Sequence, residues 1–449
     1  MPIALIALLV FIAVLIVWNV AFKRSMSEAM IIGFIATCLF AGPQALTVAW
    51  DGIASTTENE VVYAALGFVF MTYLIDQLGI MQKILDLLNS VFGKVRGGPA
   101  FVDTLASSVM GALSGSNSGN AASTGAITGP WMVKEGWKPS RAATVVAGNS
   151  AMGAALPPST SMVIMLGFAG GLASTGSVYL ALLVSGLYQV FYRLLLITYF
   201  VWRDNIKAGN GIDVLSKGQA WKQGRVPILI YLGALIPIAV TIGPLASFLE
   251  NATEVGDAMG DISIITWIPI LIILFAVLIG WKKIPKTRQG LYELIAGSIP
   301  RLAPIGVLLF FAIAASSVLT ELGLARDIES TLSGLDLPKW VLVAIVVVLV
   351  ALIAGPLSST ATVSAIGQVS MLSMIAVGID PVLAITVVLV AASTEGSSPP
   401  ASAPIFIASG IVKAKPETTF VPLIVYYLLP VMLIAILVGI GILPVPMQG

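Results

Sequence analysis

The sequence contains no histidine. That absence removes histidine-ligated zinc sites, Ser-His nucleophilic pairs and the side chain that usually relays protons near neutral pH. A single cysteine, Cys38, stands in an apolar stretch and excludes an internal disulfide. Charge is scarce as well. Asp, Glu, Lys and Arg make up 10% of the chain, and the net charge of +1 offers no basic surface for nucleic acid. Apolar residues fill the gap: they are 58% of the chain, and mean hydropathy is +1.00. This is the composition of a membrane protein.

Apolar runs of about 20 residues, enough to cross about 30 Å of hydrocarbon, predict spanning helices. They fall near 3–22, 28–48, 61–80, 142–168, 178–203, 226–247, 263–281, 302–322, 381–410 and 419–443. The first has no basic residue before it, and Lys23-Arg24 follow it. That charge order is the reverse of a signal peptide and predicts a retained helix with its N-terminus outside.

Two more apolar regions, 99–131 and 340–377, behave differently. The first has Lys83, Lys94 and Arg96 before it and Lys134, Lys138 and Arg141 after it, so both flanks read as cytoplasmic. Its two arms, about 15 residues or roughly 22 Å each, are too short to span. A re-entrant hairpin meets both constraints. On this map only Arg326 and Lys339 lie outside, and only Arg193 sits within a spanning helix. Arg193 is expected to pair with Asp76 or Glu321, or to snorkel toward the headgroups. The external loops at 49–60 and 248–262 carry Asp51, Glu58, Glu60, Glu250, Glu254, Asp257 and Asp261 without a cation.

Each half then holds three helices, a hairpin, a broken helix and one more helix. An odd number of crossings per half turns the second half upside down. The expected architecture is therefore an all-α inverted repeat, 1–205 and 226–449, joined by a polar cytoplasmic linker at 206–225. Amphipathic pieces at Gln82–Val95 and Lys286–Arg301 are expected along the membrane surface.

The interruptions carry the chemistry. Ser114-Gly-Ser-Asn-Ser-Gly-Asn120 precedes Asn149-Ser-Ala-Met-Gly-Ala-Ala-Leu-Pro-Pro-Ser159, and Gly355-Pro-Leu-Ser-Ser-Thr360 precedes Ser393-Thr-Glu-Gly-Ser-Ser-Pro-Pro-Ala-Ser402. Helix breaks at membrane depth are tolerated only where the backbone is buried in protein or lines a cavity. A matched pair in two halves points to a transport site. A broken helix offers carbonyls from one half, suited to sodium, and N–H groups from the other, suited to a carboxylate. Pro157-Pro158 and Pro399-Pro400 are placed to begin the second half-helices. Asn149, Ser150, Gly153, Ser393, Thr394, Glu395 and Ser397 are the candidate sodium ligands, partly through backbone carbonyls. Ser116, Asn117, Ser118, Ser159, Ser358, Ser359 and Thr360 are the candidate substrate contacts. Apart from Arg193, no cation falls at mid-membrane depth on this map, so a carboxylate must be met by sodium, helix N-termini and hydroxyls.

Gly111-Ala-Leu-Ser-Gly-Ser-Asn-Ser-Gly-Asn-Ala-Ala-Ser-Thr-Gly125 resembles the first signature of the large membrane subunits of TRAP (tripartite ATP-independent periplasmic) transporters. Pro130, Lys134-Glu-Gly-Trp137, Leu156-Pro-Pro-Ser159, Gly378-Ile-Asp-Pro381, Ser398-Pro-Pro400 and Ile405-Phe-Ile-Ala-Ser-Gly410 keep that family's order. The resemblance covers nearly the whole chain. It implies a sodium-driven elevator importer of small organic acids in the bacterial inner membrane, fed by a periplasmic binding protein and paired with a small four-helix subunit. One departure stands out: Gly355-Pro-Leu-Ser-Ser359 replaces a Gly-Met-Phe-Leu-Asp type stretch, and an acid appears instead at Glu395. An acid at membrane depth is a cation ligand or proton carrier by default.

The competing readings are a sodium-coupled carboxylate symporter without a binding protein, and a proton-coupled carrier using Glu395. A channel lacks its repeated filter and charge rings. An enzyme lacks a nucleophile–base pair and a metal-ligand cluster, and no cofactor beyond coupling sodium is expected.

Overall fold

The structure is a computed structural model that describes residues 2–93, 95–207, 216–241, 245–246, 248–249, 263–332 and 337–447. Every regular element among them is helical. Among the described residues seven helices are long and apolar enough to cross a membrane, or eight if one bent pair counts as a span. Met26–Glu58, Glu60–Leu78, Pro139–Ala169, Thr175–Arg203, Ile299–Glu321 and Glu417–Gly439 fall where spanning helices were expected. The run near 226–247 is the bent pair, at 43° to Lys217–Gly224. Three expected spans are shorter: Ile3–Asn19, Ile264–Gly280 and Pro381–Ser397. The acidic residues Glu250, Glu254, Asp257 and Asp261, and linker residues 208–215, lie outside the described residues.

Burial sorts these equally apolar helices by position. In the best window of Pro139–Ala169, 89% of residues are buried, against 28% for Glu417–Gly439. An apolar helix buried on all sides lies at the centre of a bundle, whereas an apolar helix left exposed faces lipid. Val382–Ala392 is buried without exception, so the second broken helix is also central.

The region expected as a first hairpin is two helices, Gly98–Ser114 and Asn117–Lys134. Ser107 Oγ lies 3.2 Å from Thr124 Oγ1, and Thr128 Oγ1 donates to Asp103 Oδ1, which sets the arms antiparallel. The arms have 17 and 18 residues, longer than expected, because the helix runs through Gly98-Pro99 at one end and through Pro130 at the other. The second hairpin is Lys339–Ala354 and Ser359–Ala376, and its second arm is long and apolar enough to span. Each hairpin is followed by a 12-residue helix that starts with proline, Pro139–Ser150 and Pro381–Ala392.

The Pro-Pro pairs do not begin the second half-helices. Ser159 precedes Thr160–Ala169, and its side chain accepts from Met162 N at 3.2 Å. A serine satisfies an orphan amide there, which proline cannot do. In the second half Ser402 precedes Ala403–Ile411, with Pro404 in the first turn. Both Pro-Pro peptides are cis and lie in the linkers upstream.

Two amphipathic helices precede the hairpins, Ile80–Phe92 and Leu324–Leu332, and the second was not foreseen. It carries Asp327, whose Oδ2 accepts from Ala4 N (2.9 Å) and Leu5 N (3.3 Å) and so caps the first helix of the chain. The expected surface piece at Lys286–Arg301 is the helix Arg288–Ala296, which has no fully buried residue and rests Leu294 against the core. Part of the expected linker is folded: Lys217–Gly224 buries Ala220 and Gly224. Upstream, Arg96 holds Asn205 Oδ1 at 3.0 Å and also donates to the Ile206 carbonyl.

Candidate functional site

The hairpin tips are set by serine caps. Ser116 Oγ accepts from Gly119 N at 3.1 Å, and Ser358 Oγ accepts from Ala361 N at 3.2 Å. These hydroxyls start each second arm and leave the next residue, Asn117 or Ser359, facing the other half of the chain. Asn117 Nδ2 donates to Ser359 Oγ (2.8 Å) and Glu395 Oε2 (3.1 Å), and lies 3.4 Å from the Ser393 carbonyl. Ser359 N donates to the same Glu395 oxygen at 2.8 Å. Ser359 Oγ is 2.9 Å from that oxygen and 2.8 Å from the Ala392 carbonyl. Ser118 also hydrogen-bonds Glu395. Both tips and the second break thus converge on one buried carboxylate.

Hairpin 1 meets the first break backbone to backbone. A Cβ at Gly111 would lie 2.2 Å from the Met152 carbonyl oxygen, and one at Gly153 would lie 2.9 Å from that of Ser116. Only glycine permits these approaches. The two breaks also touch each other, since a Cβ at Gly396 would fall 2.6 Å from the Ala147 carbonyl oxygen.

The candidate sodium ligands are fully or almost fully buried and largely engaged. Ser150 Oγ donates to the Ala147 carbonyl (2.6 Å), Ser393 Oγ to Val390 (2.7 Å), Thr394 Oγ1 to Ala391 (2.7 Å) and Ser397 Oγ to Thr394 (3.1 Å). These hydroxyls satisfy the helix-end carbonyls that the breaks would otherwise orphan. Asn149 Nδ2 donates to Asp103 Oδ2 (2.8 Å) and Thr104 Oγ1 (3.0 Å). Asn120 Nδ2 reaches the Ser107 (2.9 Å) and Ser150 (3.2 Å) carbonyls. The amide oxygens of Asn117, Asn120 and Asn149 are buried without a hydrogen-bond donor. Buried acceptors normally have partners, and a small cation is one that supplies no hydrogen.

Sequence reasoning missed several of these residues. Asp103, not among the candidate site residues, is fully buried and holds Asn149. Arg193 neither pairs with Asp76 or Glu321 nor snorkels. It is fully buried, donating from Nη2 to the Gly148 carbonyl at 3.2 Å and from Nη1 to Gln189 Oε1 at 3.1 Å, 5.7 Å from the Tyr427 ring. The helix-end carbonyl offers it a partner next to the break, so the long reach to a carboxylate is unnecessary. The spacing Gln189-x-x-x-Arg193 on one helix face was the available signal.

A cavity of about 690 Å³ opens beside the tips. Ser116, Asn117, Ser118, Ser358, Ser359, Thr360 and Glu395 form one wall, and Glu60–Leu78 and Ile299–Glu321 form the other. Ser159 caps its helix and does not line the cavity, whereas Thr160 does. Arg301, placed by the map at the end of a surface piece, lines the cavity and pairs with Asp76 at 2.8 Å. A second cavity, of about 670 Å³, lies at the opposite ends of the same two helices, lined by Asn59 and Glu321.

Comparison with known proteins gives a consistent answer. The family model described as "Tripartite ATP-independent periplasmic transporter, DctM component" matches residues 5–445. The chain is 24% identical to the C4-dicarboxylate TRAP transporter large permease protein DctM of Pseudomonas aeruginosa, covering 84% of this chain and 83% of that one. It is 23% identical to the isethionate TRAP transporter permease protein DctMQ of Oleidesulfovibrio alaskensis, covering 82% of this chain but only 55% of the relative. The fold is similar to those of the Alcanivorax borkumensis YdaH transporter and Neisseria gonorrhoeae MtrF. Their TM-scores are 0.63 and 0.62 at 16% identity, covering 89% and 90% of this chain and 89% and 86% of theirs.

Proposed function

From the premise that the chain belongs to the DctM family of tripartite ATP-independent periplasmic transporters, multi-pass permeases and not enzymes, we propose that it imports a small organic acid across the bacterial inner membrane. Import is secondary active transport coupled to sodium. The halves 1–205 and 226–449 are inverted repeats, and both hairpins are re-entrant. The hairpins and broken helices move as one elevator body past the other helices. A periplasmic binding protein delivers the acid, and a small four-helix membrane subunit accompanies the chain.

The convergence of both hairpin tips and the second break on one wall of the 690 Å³ cavity carries this reading. On that wall the cargo touches elements that would travel together. The two cavities, at opposite ends of helices that form the facing wall, fit a boundary along which such a body slides. The repeated order of capped hairpin and proline-initiated 12-residue helix supports the internal repeat. The names of relatives, for a C4-dicarboxylate, isethionate and 2,3-diketo-L-gulonate, point to small organic anions as the cargo class.

Sodium fits the unpartnered amide oxygens of Asn117, Asn120 and Asn149, together with carbonyls and hydroxyls of Ser150, Gly153, Ser393, Thr394 and Ser397. Substrate oxygens would meet Ser116, Asn117, Ser118, Ser358, Ser359 and Thr360, with Arg301 across the cavity. Glu395 anchors both tips, because donors converge on its Oε2 where a cation would need acceptors. Proteoliposomes holding the chain and its small subunit, with binding protein outside, should accumulate a labelled acid under an inward sodium gradient. Equal uptake in choline would remove the sodium coupling. Undiminished uptake without the binding protein would favour an independent symporter.

A further inference from the structure

The cavity wall where the tips meet already holds a carboxylate of the chain. Glu395 is 4% exposed, and its Oε2 accepts from Ser359 N at 2.8 Å and Asn117 Nδ2 at 3.1 Å. Ser359 Oγ has one proton, shared in choice between that oxygen and the Ala392 carbonyl. A helix N-terminal amide, a hydroxyl and a side-chain amide are the donors a bound carboxylate would need here. The chain fills that place itself. Across the cavity, Arg301 is the one cation among the described lining residues, and Asp76 engages it at 2.8 Å. Two carboxylates therefore share one cavity with one guanidinium. A cargo with one negative charge can compete for Arg301 while its neutral polar end meets the hydroxyls. A second negative charge meets Glu395.

We propose that Glu395 sets the charge class of the cargo: the cavity takes organic acids with a single negative charge and discriminates against dianions. This rests on the organic-acid reading above. The names of the relatives span both charge classes, so the family does not fix it. Like charges about 7 Å apart at an effective dielectric near 20 repel strongly enough to discriminate at least tenfold.

The test uses the full-length purified chain at fixed, saturating sodium near neutral pH. Thermal stabilisation is titrated with succinate and glutarate and with their monoamides, succinamate and glutaramate, which match them in shape and differ by one charge. Wild type should bind each monoamide at least about tenfold more tightly than its dicarboxylate. Glu395→Gln, which keeps an acceptor for Ser359 N, should shrink that ratio to about threefold or less. Dicarboxylates binding wild type as tightly as their monoamides would overturn the proposal, and this comparison needs no variant. A ratio unchanged in Glu395→Gln would remove the assignment to Glu395. If no acid of either charge binds either protein, the organic-acid reading itself fails and the proposal falls with it.

Discussion

Gly111→Ala is expected to abolish uptake and to lower the midpoint of thermal unfolding. The added methyl would lie 2.2 Å from the Met152 carbonyl oxygen, 2.5 Å from its carbon and 2.9 Å from Gly153 N. All three are backbone atoms, so no rotamer change relieves the clash. Overpacking a core costs about 1–3 kcal/mol when side chains can adjust. Here hairpin 1 must lift off the first break, so the effect should reach at least the top of that range. Gly410→Ala is the control: it also lies in a helix, and nothing stands within 4 Å of its Cβ position. That variant should insert, melt and transport like the parent. Equal melting and uptake for the two variants would mean that the hairpin does not seat on the break.

Asp103→Ala should raise the sodium concentration for half-maximal uptake by at least about tenfold. The carboxylate accepts from Asn149 Nδ2 at 2.8 Å and from Thr128 Oγ1, and both contacts are fully buried. Hydrogen bonds to a charged group contribute about 1.5–3 kcal/mol each. Thr104 Oγ1 and the Thr124 carbonyl remain as second partners, so the loss is partial, about 2–4 kcal/mol, and the protein should still insert. The larger consequence is orientation. Without Asp103 the Asn149 amide is free to turn, and its unpartnered oxygen no longer points one way. Asp103→Asn should be the milder change, because its amide oxygen still accepts from Asn149 Nδ2 and its NH2 can donate to Thr128 Oγ1, whose own proton turns to the Thr124 carbonyl. Unchanged sodium dependence in both variants would disconnect Asn149 from the ion.

The sequence made the breaks legible because their chemistry is local. Serine caps, glycine at close approaches and paired prolines are written in consecutive residues, and the helices stop where those residues occur: after Ser150, after Ala392 and at both hairpin tips. Span lengths were less legible. Hydropathy does not register that Gly98-Pro99 starts a helix or that Ser159, not the prolines, caps one.

Partnerships across helices were not legible at all. Nothing local marks Asp103 as a site residue, and its burial follows from a hairpin whose arms pack antiparallel. Arg301 was expected at the end of an amphipathic surface piece, but it sits in the first turn of Ile299–Glu321 and reaches Asp76 and the cavity. Arg193 required knowing that Gly148 ends beside it. Glu395 was conspicuous as a charge, but its partners Asn117 and Ser359 come from two other segments.

The central claim is that the tips and the breaks form one site in which sodium and an organic acid bind together. Calorimetric titration of the purified chain with the transported acid, with and without sodium, addresses it directly. Sodium should tighten acid binding at least about tenfold, the acid should tighten sodium binding by the same factor, and Asn117→Ala should erase both effects. Acid affinity that is the same in sodium and in choline would contradict the account.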